Sequence, residues 1–165
     1  MCGIIGHINL LGEKVSLENE MLIALGTLNK RGPDAQVIQQ FESVIFGHAR
    51  LSIIDTSDSA NQPFCDETGN YWIVFNGEIF NYIEIKNQQK RKGIEFKTHS
   101  DTEVLLKLLI EKGKEALNEL NGFFSFCFYD KRKNTFIIAR DRFGEKPLVY
   151  TSTNTAFTFA SEIKA

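Results

Sequence analysis

No stretch of this 165-residue chain stays apolar for the roughly 18 residues that a membrane-spanning helix needs, and no basic segment leads into an apolar one at its start. Neither a membrane span nor a secretory signal is indicated, and the chain reads as cytoplasmic. Charge of one sign is missing as well. Nineteen Lys and Arg against 21 Asp and Glu leave a net charge of −2, so no field attracts nucleic acid or an anionic membrane surface. Neither partner is expected. Cysteine is scarce: Cys2, Cys65 and Cys127 are too few and too far apart for a disulfide framework, and an odd number fits a reducing compartment. With His7, His48 and His99 they form no CxxC or HxxxH pair, so no metal site is expected. Internal repeats and low-complexity linkers are absent too, which leaves one domain spanning residues 1–165.

What is present is an ordinary globular balance, 42% hydrophobic and 24% charged, with a high count of 14 Phe that points to strands packed on both faces. Cys2 to Asn9 reads as a strand. Ser16 is a candidate cap for a helix to about Lys30, with Leu17, Met21, Leu22, Leu25 and Leu28 on one apolar face. Arg31-Gly32-Pro33-Asp34 breaks it, and β-rich stretches follow near Gln36–Phe41 and Val44–His48. Beyond a polar loop from Asp55 to Phe64, the run Tyr71 to Phe75 reads as a buried strand that stops at Asn76-Gly77. Asn81-x-x-Glu84 and Ser100-x-x-Glu103 each have the form of a capping box opening a helix, closed by Gly93 and Gly113. From Gly122 the pattern is β: Phe123–Tyr129, Thr135–Ala139, Pro147–Tyr150 and Ala156–Phe159. Phe124, Phe126 and Phe128 alternate with Phe123, Cys127 and Tyr129, so both faces of that strand must be covered. The expected fold is α+β, a four-layer αββα sandwich of two antiparallel sheets with outer helices.

Five positions carry the candidate chemistry. Cys2 stands directly behind Met1, and loss of Met1 would give one residue both a thiol and a free α-amine. A thiol of pKa about 8.5 is mostly protonated at neutral pH, whereas an amine of pKa about 7.7 to 8.0 is partly neutral and able to take its proton, through a bridging water. Asn76 and Gly77 offer a side-chain amide and a backbone N–H at one point, as an oxyanion hole needs; the same dipeptide is also the commonest type I′ hairpin turn. Arg50 lies in an apolar stretch, Phe46 to Asp55, where its guanidinium needs a partner: a ligand carboxylate, or an internal acid such as Asp55. Asp101, at a helix start, is suited to a ligand ammonium or simply to the helix N-terminus.

The chain as a whole resembles the glutaminase domain of class II glutamine amidotransferases, which are N-terminal nucleophile (Ntn) hydrolases, and is most similar to the asparagine synthetase branch. The resemblance runs through Met1-Cys2-Gly3-Ile4-Ile5-Gly6, Arg31-Gly32-Pro33-Asp34, Gly47 to Asp55, Phe75-Asn76-Gly77-Glu78-Ile79, Ser100-Asp101-Thr102-Glu103, Leu120-Asn121-Gly122, Ala139 to Gly144 and Phe159 to Lys164. It implies that Cys2 is the nucleophile with its α-amine as base, and that Asn76 and Gly77 stabilise the oxyanion. It further implies that Arg50 binds the α-carboxylate of L-glutamine, that the backbone of Leu51, Ser52, Ile53, Ile54 and Glu78 lines the pocket, and that Asp101 takes the α-ammonium. Phe80 and Ala49 depart from the family pattern beside the site, where tyrosine and a second arginine are common. The implied reaction is hydrolysis of L-glutamine to L-glutamate and ammonia, with ammonia passed to an ATP-dependent synthetase domain or subunit that amidates aspartate or a related carboxylate. No glycine-rich phosphate loop occurs in these residues, so no cofactor is expected on this chain, and ATP and Mg²⁺ belong to the synthetase partner. The alternative is a catalytically silent glutamine-binding module with a regulatory or docking role.

Overall fold

The computed structural model describes residues 1–52 and 60–165. Along the chain come β1 (Gly3–Asn9), α1 (Glu18–Thr27), β2 (Ala35–Gln40), β3 (Val44–Arg50), β4 (Phe64–Cys65), β5 (Tyr71–Ile79), α2 (Tyr82–Arg91), α3 (Asp101–Lys112), a 3₁₀ segment (Gly113–Asn118), β6 (Gly122–Asp130), β7 (Thr135–Arg140), β8 (Val149–Ser152) and β9 (Ala156–Ala160). One sheet has the order β2-β3-β1-β9-β8 and the other β4-β5-β6-β7. Every paired strand is antiparallel to its neighbour.

The alternation in β6 explains the layering. Phe124, Phe126 and Phe128 project to one side, where they meet Ile85 of α2 and Val104, Leu105 and Leu108 of α3. Cys127 and Tyr129 project to the other side and join Ile4, Ile8, Val44, Phe46, Val74 and Phe159 between the two sheets. On the outer side of the first sheet, Met21, Leu25 and Leu28 pack over Ile5, Ile45 and Ala49. The result is the four-layer αββα sandwich, with two sheets face to face and helices outside. Phe126 is wholly buried, and truncating such a ring to alanine costs about 3–5 kcal/mol. Among the described residues no helix is long and apolar enough to cross a membrane.

Local signals were overridden in several places. The first helix starts at Glu18 rather than behind Ser16, with no side-chain cap at Leu17, and it ends at Thr27 rather than near Lys30. Leu22 is 52% exposed, because the buried stripe follows positions 17, 21, 25 and 28 and Leu22 lies about 100° from Met21 around the helix. Asn81 makes no cap; its Nδ2 donates to the Glu119 carbonyl and its Oδ1 accepts from the Asn121 N–H, tying α2 to the segment ahead of β6. Ser100 does cap α3 by accepting from the Thr102 N–H, while Glu103 turns instead to the N–H groups of Lys97 and Thr98. The strand expected at Pro147–Tyr150 lies at Val149–Ser152.

Asn76-Gly77 is the most consequential correction: it is neither a turn nor a strand end. β5 runs through it to Ile79, with Asn76 opposite Ser125 and Gly77 opposite Phe124. Gly77 is required by proximity, since a Cβ there would stand 2.3 Å from the Phe123 carbonyl oxygen. The glycine that reads locally as a turn residue permits close approach of β6 instead.

Candidate active site

Strand alternation brings the candidate residues together. On β3, Val44 and Phe46 face the layer between the sheets, so His48 and Arg50, two and four residues further, face it too. The same count on β5 sends Asn76 inward behind Val74, and on β1 it sends Cys2 inward ahead of Ile4. Cys2 precedes β1 by one residue and is half-buried. At this end of the sandwich the inward positions are no longer apolar.

The nucleophile candidate is pinned by its backbone. Arg31 Nε donates to the Cys2 carbonyl at 2.9 Å, and Arg31 Nη1 pairs with Glu162 at 2.9 Å. Ser161 is buried; its Oγ accepts from the Ile4 N–H at 2.9 Å, and its own N–H donates to the Ile4 carbonyl at 2.8 Å. The Cys2 Sγ accepts from the Leu51 N–H at 3.4 Å and lies 3.6 Å from the Leu51 carbonyl. The helix-breaking Arg31-Gly32-Pro33-Asp34 thus serves the site at both ends. Gly32 lies so close to β3 that a Cβ would stand 2.2 Å from the Ala49 carbonyl oxygen, and Asp34 accepts from the Ser52 N–H at 2.8 Å.

Asn76 is 1% exposed, and its Nδ2 has no hydrogen-bond acceptor among the described residues. A buried amide donor left unpaired costs about 1–3 kcal/mol, so such a group marks a place where a ligand atom belongs. The neighbouring backbone adds a second donor. On the edge of β5 away from β6, the Phe75 N–H donates to Gln62 Oε1 at 2.6 Å and the Ile79 N–H to Asp101 Oδ2 at 3.0 Å. The period of two puts the Gly77 N–H on that same edge, between these two.

Arg50 is 7% exposed, and its Nη1 donates to Asn61 Oδ1 at 2.5 Å. Asp55, the internal acid weighed as its partner, lies outside the described residues, as do Ile53 and Ile54. Asp101 is the first residue of α3 and is 4% exposed. Burial pushes its carboxyl up to about 6, with the nearby charge of Glu78 adding to this and the N–H groups of Ile79 and Thr102 opposing it. His48 is 1% exposed; burial pushes its imidazole down to about 3, a hydrogen bond to the Phe75 carbonyl opposes this, and the Arg50 charge adds to it. The ring is therefore neutral at any physiological pH.

One cavity of about 110 Å³, several times the room a single bound water needs, is lined by Cys2, Arg50, Leu51, Ser52, Asn76, Gly77, Glu78 and Asp101. Every site residue expected from the sequence that falls among the described residues lines it. His48, Gln62, Thr102 and Lys146 line it too, in places the sequence pattern does not announce. Gln62 falls in a stretch whose composition indicates only a polar loop, and the spacing of His48 speaks only to metal ligation. The segment Ala139 to Gly144 does carry a signal for Lys146: Asp141 accepts from the N–H groups of Phe143, Glu145 and Lys146, folding the loop that brings Lys146 to the cavity. Among the described residues no three His, Cys, Asp or Glu side chains are grouped as a metal ion requires.

The model of the glutamine amidotransferase domain matches residues 1–165. This chain belongs to the glutamine amidotransferase family. Its relatives include asparagine synthetase [glutamine-hydrolyzing] 1 of Bacillus subtilis, 43% identical over 169 residues, and asparagine synthetase [glutamine-hydrolyzing] 3 of the same organism, 38% identical over 166 residues. Asparagine synthetase B [glutamine-hydrolyzing] of Escherichia coli is 35% identical over 167 residues. Each match takes in 100% of this chain but only 26%, 27% and 30% of the respective relative, so the chain spans under a third of each of these three proteins. Among solved structures, glutamine phosphoribosylpyrophosphate amidotransferase from B. subtilis superposes with a TM-score of 0.78 at 24% identity, over 98% of this chain and 42% of that one. At that identity the likeness establishes the fold, the sandwich of two antiparallel sheets described above.

Proposed function

We propose that this amidotransferase domain hydrolyses L-glutamine to L-glutamate and ammonia through a thioester on Cys2. The observation that carries the reading is the Asn76 amide, buried and without an acceptor among the described residues, in one cavity with Cys2, Arg50 and Asp101. Arg50 takes the α-carboxylate of glutamine and Asp101 its α-ammonium, while Leu51, Ser52, Ile53, Ile54 and Glu78 line the pocket. The γ-amide then reaches Cys2. Met1, 54% exposed, must be removed first to free the Cys2 amine.

The amine accepts the thiol proton through a water, and the sulfur bonds to the side-chain amide carbon, Cδ, as the carbonyl π electrons move to oxygen. Asn76 Nδ2 and the Gly77 N–H hold that oxyanion; one donor of this kind is worth about 10²- to 10³-fold in rate. Collapse breaks the C–N bond, and the ammonium form of the terminus returns the proton to the leaving nitrogen, which departs as ammonia. Water, deprotonated by the same amine, adds to the thioester carbon through a second oxyanion, and the thiolate leaves and is reprotonated.

Residues 1–165 in this reading are the ammonia-producing unit. The acceptor chemistry is asparagine synthetase-like, on an ATP-dependent synthetase domain or subunit that also holds ATP and Mg²⁺. The test is ammonia release from glutamine by protein whose N-terminal processing has been verified. Release that disappears in Cys2→Ala supports the enzyme; equal release by wild type and Cys2→Ala refutes it, and glutamine binding without turnover would indicate the silent module instead.

A further inference from the structure

β4 pairs with β5 only through Phe64↔Ile73 and Cys65↔Trp72. Carried on by two residues, this register sets Gln62 opposite Phe75, and there the ladder changes character: the Gln62 side chain, not its backbone, meets the strand. Its Oε1 accepts from the Phe75 N–H at 2.6 Å, and its Nε2 donates to Thr102 Oγ1 at 3.3 Å. Phe75 adjoins Asn76 and Thr102 adjoins Asp101. Gln62 is 6% exposed, Thr102 is 3% exposed, and both line the cavity.

From this geometry we infer that Gln62 is a positioning residue: it fixes the distance between the oxyanion donors on β5 and the amino-group carboxylate on α3. The inference rests on the glutaminase reading. Two rungs join β5 to the start of α3, Phe75 through Gln62 to Thr102 and Ile79 directly to Asp101. They bracket the Gly77 N–H and leave it as the intervening donor on that edge. An amide is the side chain that accepts from a strand N–H and donates to a hydroxyl at once. Methionine of similar length does neither, and glutamate keeps the acceptor. The two ends act on different steps. The Phe75 end holds the donors that count in the transition state, and the Thr102 end holds a group that binds the substrate's amine in ground and transition states alike.

The experiment measures kcat and KM for glutamine in N-terminally processed wild type, Gln62→Met, Gln62→Glu and Thr102→Val, with Cys2→Ala as the blank. Gln62→Met is expected to lower kcat about tenfold and raise KM, from loss of a buried hydrogen bond at each end. Gln62→Glu restores most of kcat, and Thr102→Val raises KM about fivefold while kcat stays within about twofold of wild type. A merely structural role would lower the amount of active protein without splitting the two constants. Gln62→Met within twofold of wild type in both constants overturns the inference, as does Gln62→Glu impaired in kcat as much as Gln62→Met. If Gln62→Met does not fold, the decision passes to Gln62→Glu and Thr102→Val: loss of kcat in the first or an unchanged KM in the second overturns it. A wild type no more active than Cys2→Ala overturns the glutaminase reading and this inference together, whereas an active wild type with unaffected variants overturns this inference alone.

Discussion

The layer between the two sheets holds two thiols in different chemistry. Cys127 lies midway along β6, wholly buried among Ile4, Phe46, Val74 and Phe159, and burial pushes its thiol far above the ordinary range. Cys2 lies at the end of the same layer, half-buried, with the Leu51 N–H on its sulfur and Arg50, His48 and Asn76 lining the same cavity. The strands that deliver the two surroundings are the same, and so is the period of two. What changes is that two further residues along β3 and β5 the inward side chain becomes polar: Phe46 gives way to His48 and Arg50, and Val74 to Asn76. The site is the point where a core layer stops being dry.

Val74 and Asn76 sharpen that contrast, because they share a strand and a face. Asn76→Ala is expected to lower kcat for glutamine hydrolysis about 10²- to 10³-fold with little change in thermal midpoint, since Nδ2 has no protein acceptor among the described residues to lose. Val74→Ala should do the opposite, costing about 2 kcal/mol of stability from two buried methyl-sized groups with kcat unchanged. Parallel melting curves and initial rates read both. If both variants lose activity in proportion to stability, the two ends of the layer do not differ in kind.

Asp101 makes a smaller but signed prediction. Its carboxyl, lifted to about 6 in the folded protein from an ordinary value of 3.8, holds its proton more tightly folded than unfolded. Its contribution to stability therefore grows as pH falls from about 6 towards 4, and fades as pH rises through 6. Binding runs the other way: a protonated Asp101 loses its attraction for the glutamine ammonium, so KM should climb as pH drops below about 6 while the Asp101 contribution to the thermal midpoint rises. Asp101→Asn should raise KM and remove this acid limb. A KM that stays flat across pH 5 to 7 in the wild type would break the assignment.

How much of this the sequence discloses depends on whether a residue acts locally. Cys2, Arg50, Asn76, Gly77 and Asp101, which line one cavity, are legible as candidates because each occupies a short motif with a chemical reason for its residue type. So is the double-sided β6, because alternation is a local signal. Arg31, Ser161 and Gln62 were not legible in their roles: Arg31 bonds Glu162 across 131 positions, Ser161 bonds Ile4 across 157, and Gln62 bonds Phe75 across 13. No local pattern announces such contacts. Gly77 shows the reverse failure, in which a strong local signal for a turn yields to the approach of the Phe123 and Phe124 backbone.

The central claim, that the thiol at the polar end is the nucleophile of a glutamine site, is tested most directly with a γ-diazoketone analogue of L-glutamine followed by intact-mass and peptide mapping of the N-terminally processed protein. The account predicts one covalent adduct, on Cys2, prevented by excess glutamine and absent in Cys2→Ala. No adduct on Cys2, or modification of Cys65 or Cys127 at an equal rate, would contradict it.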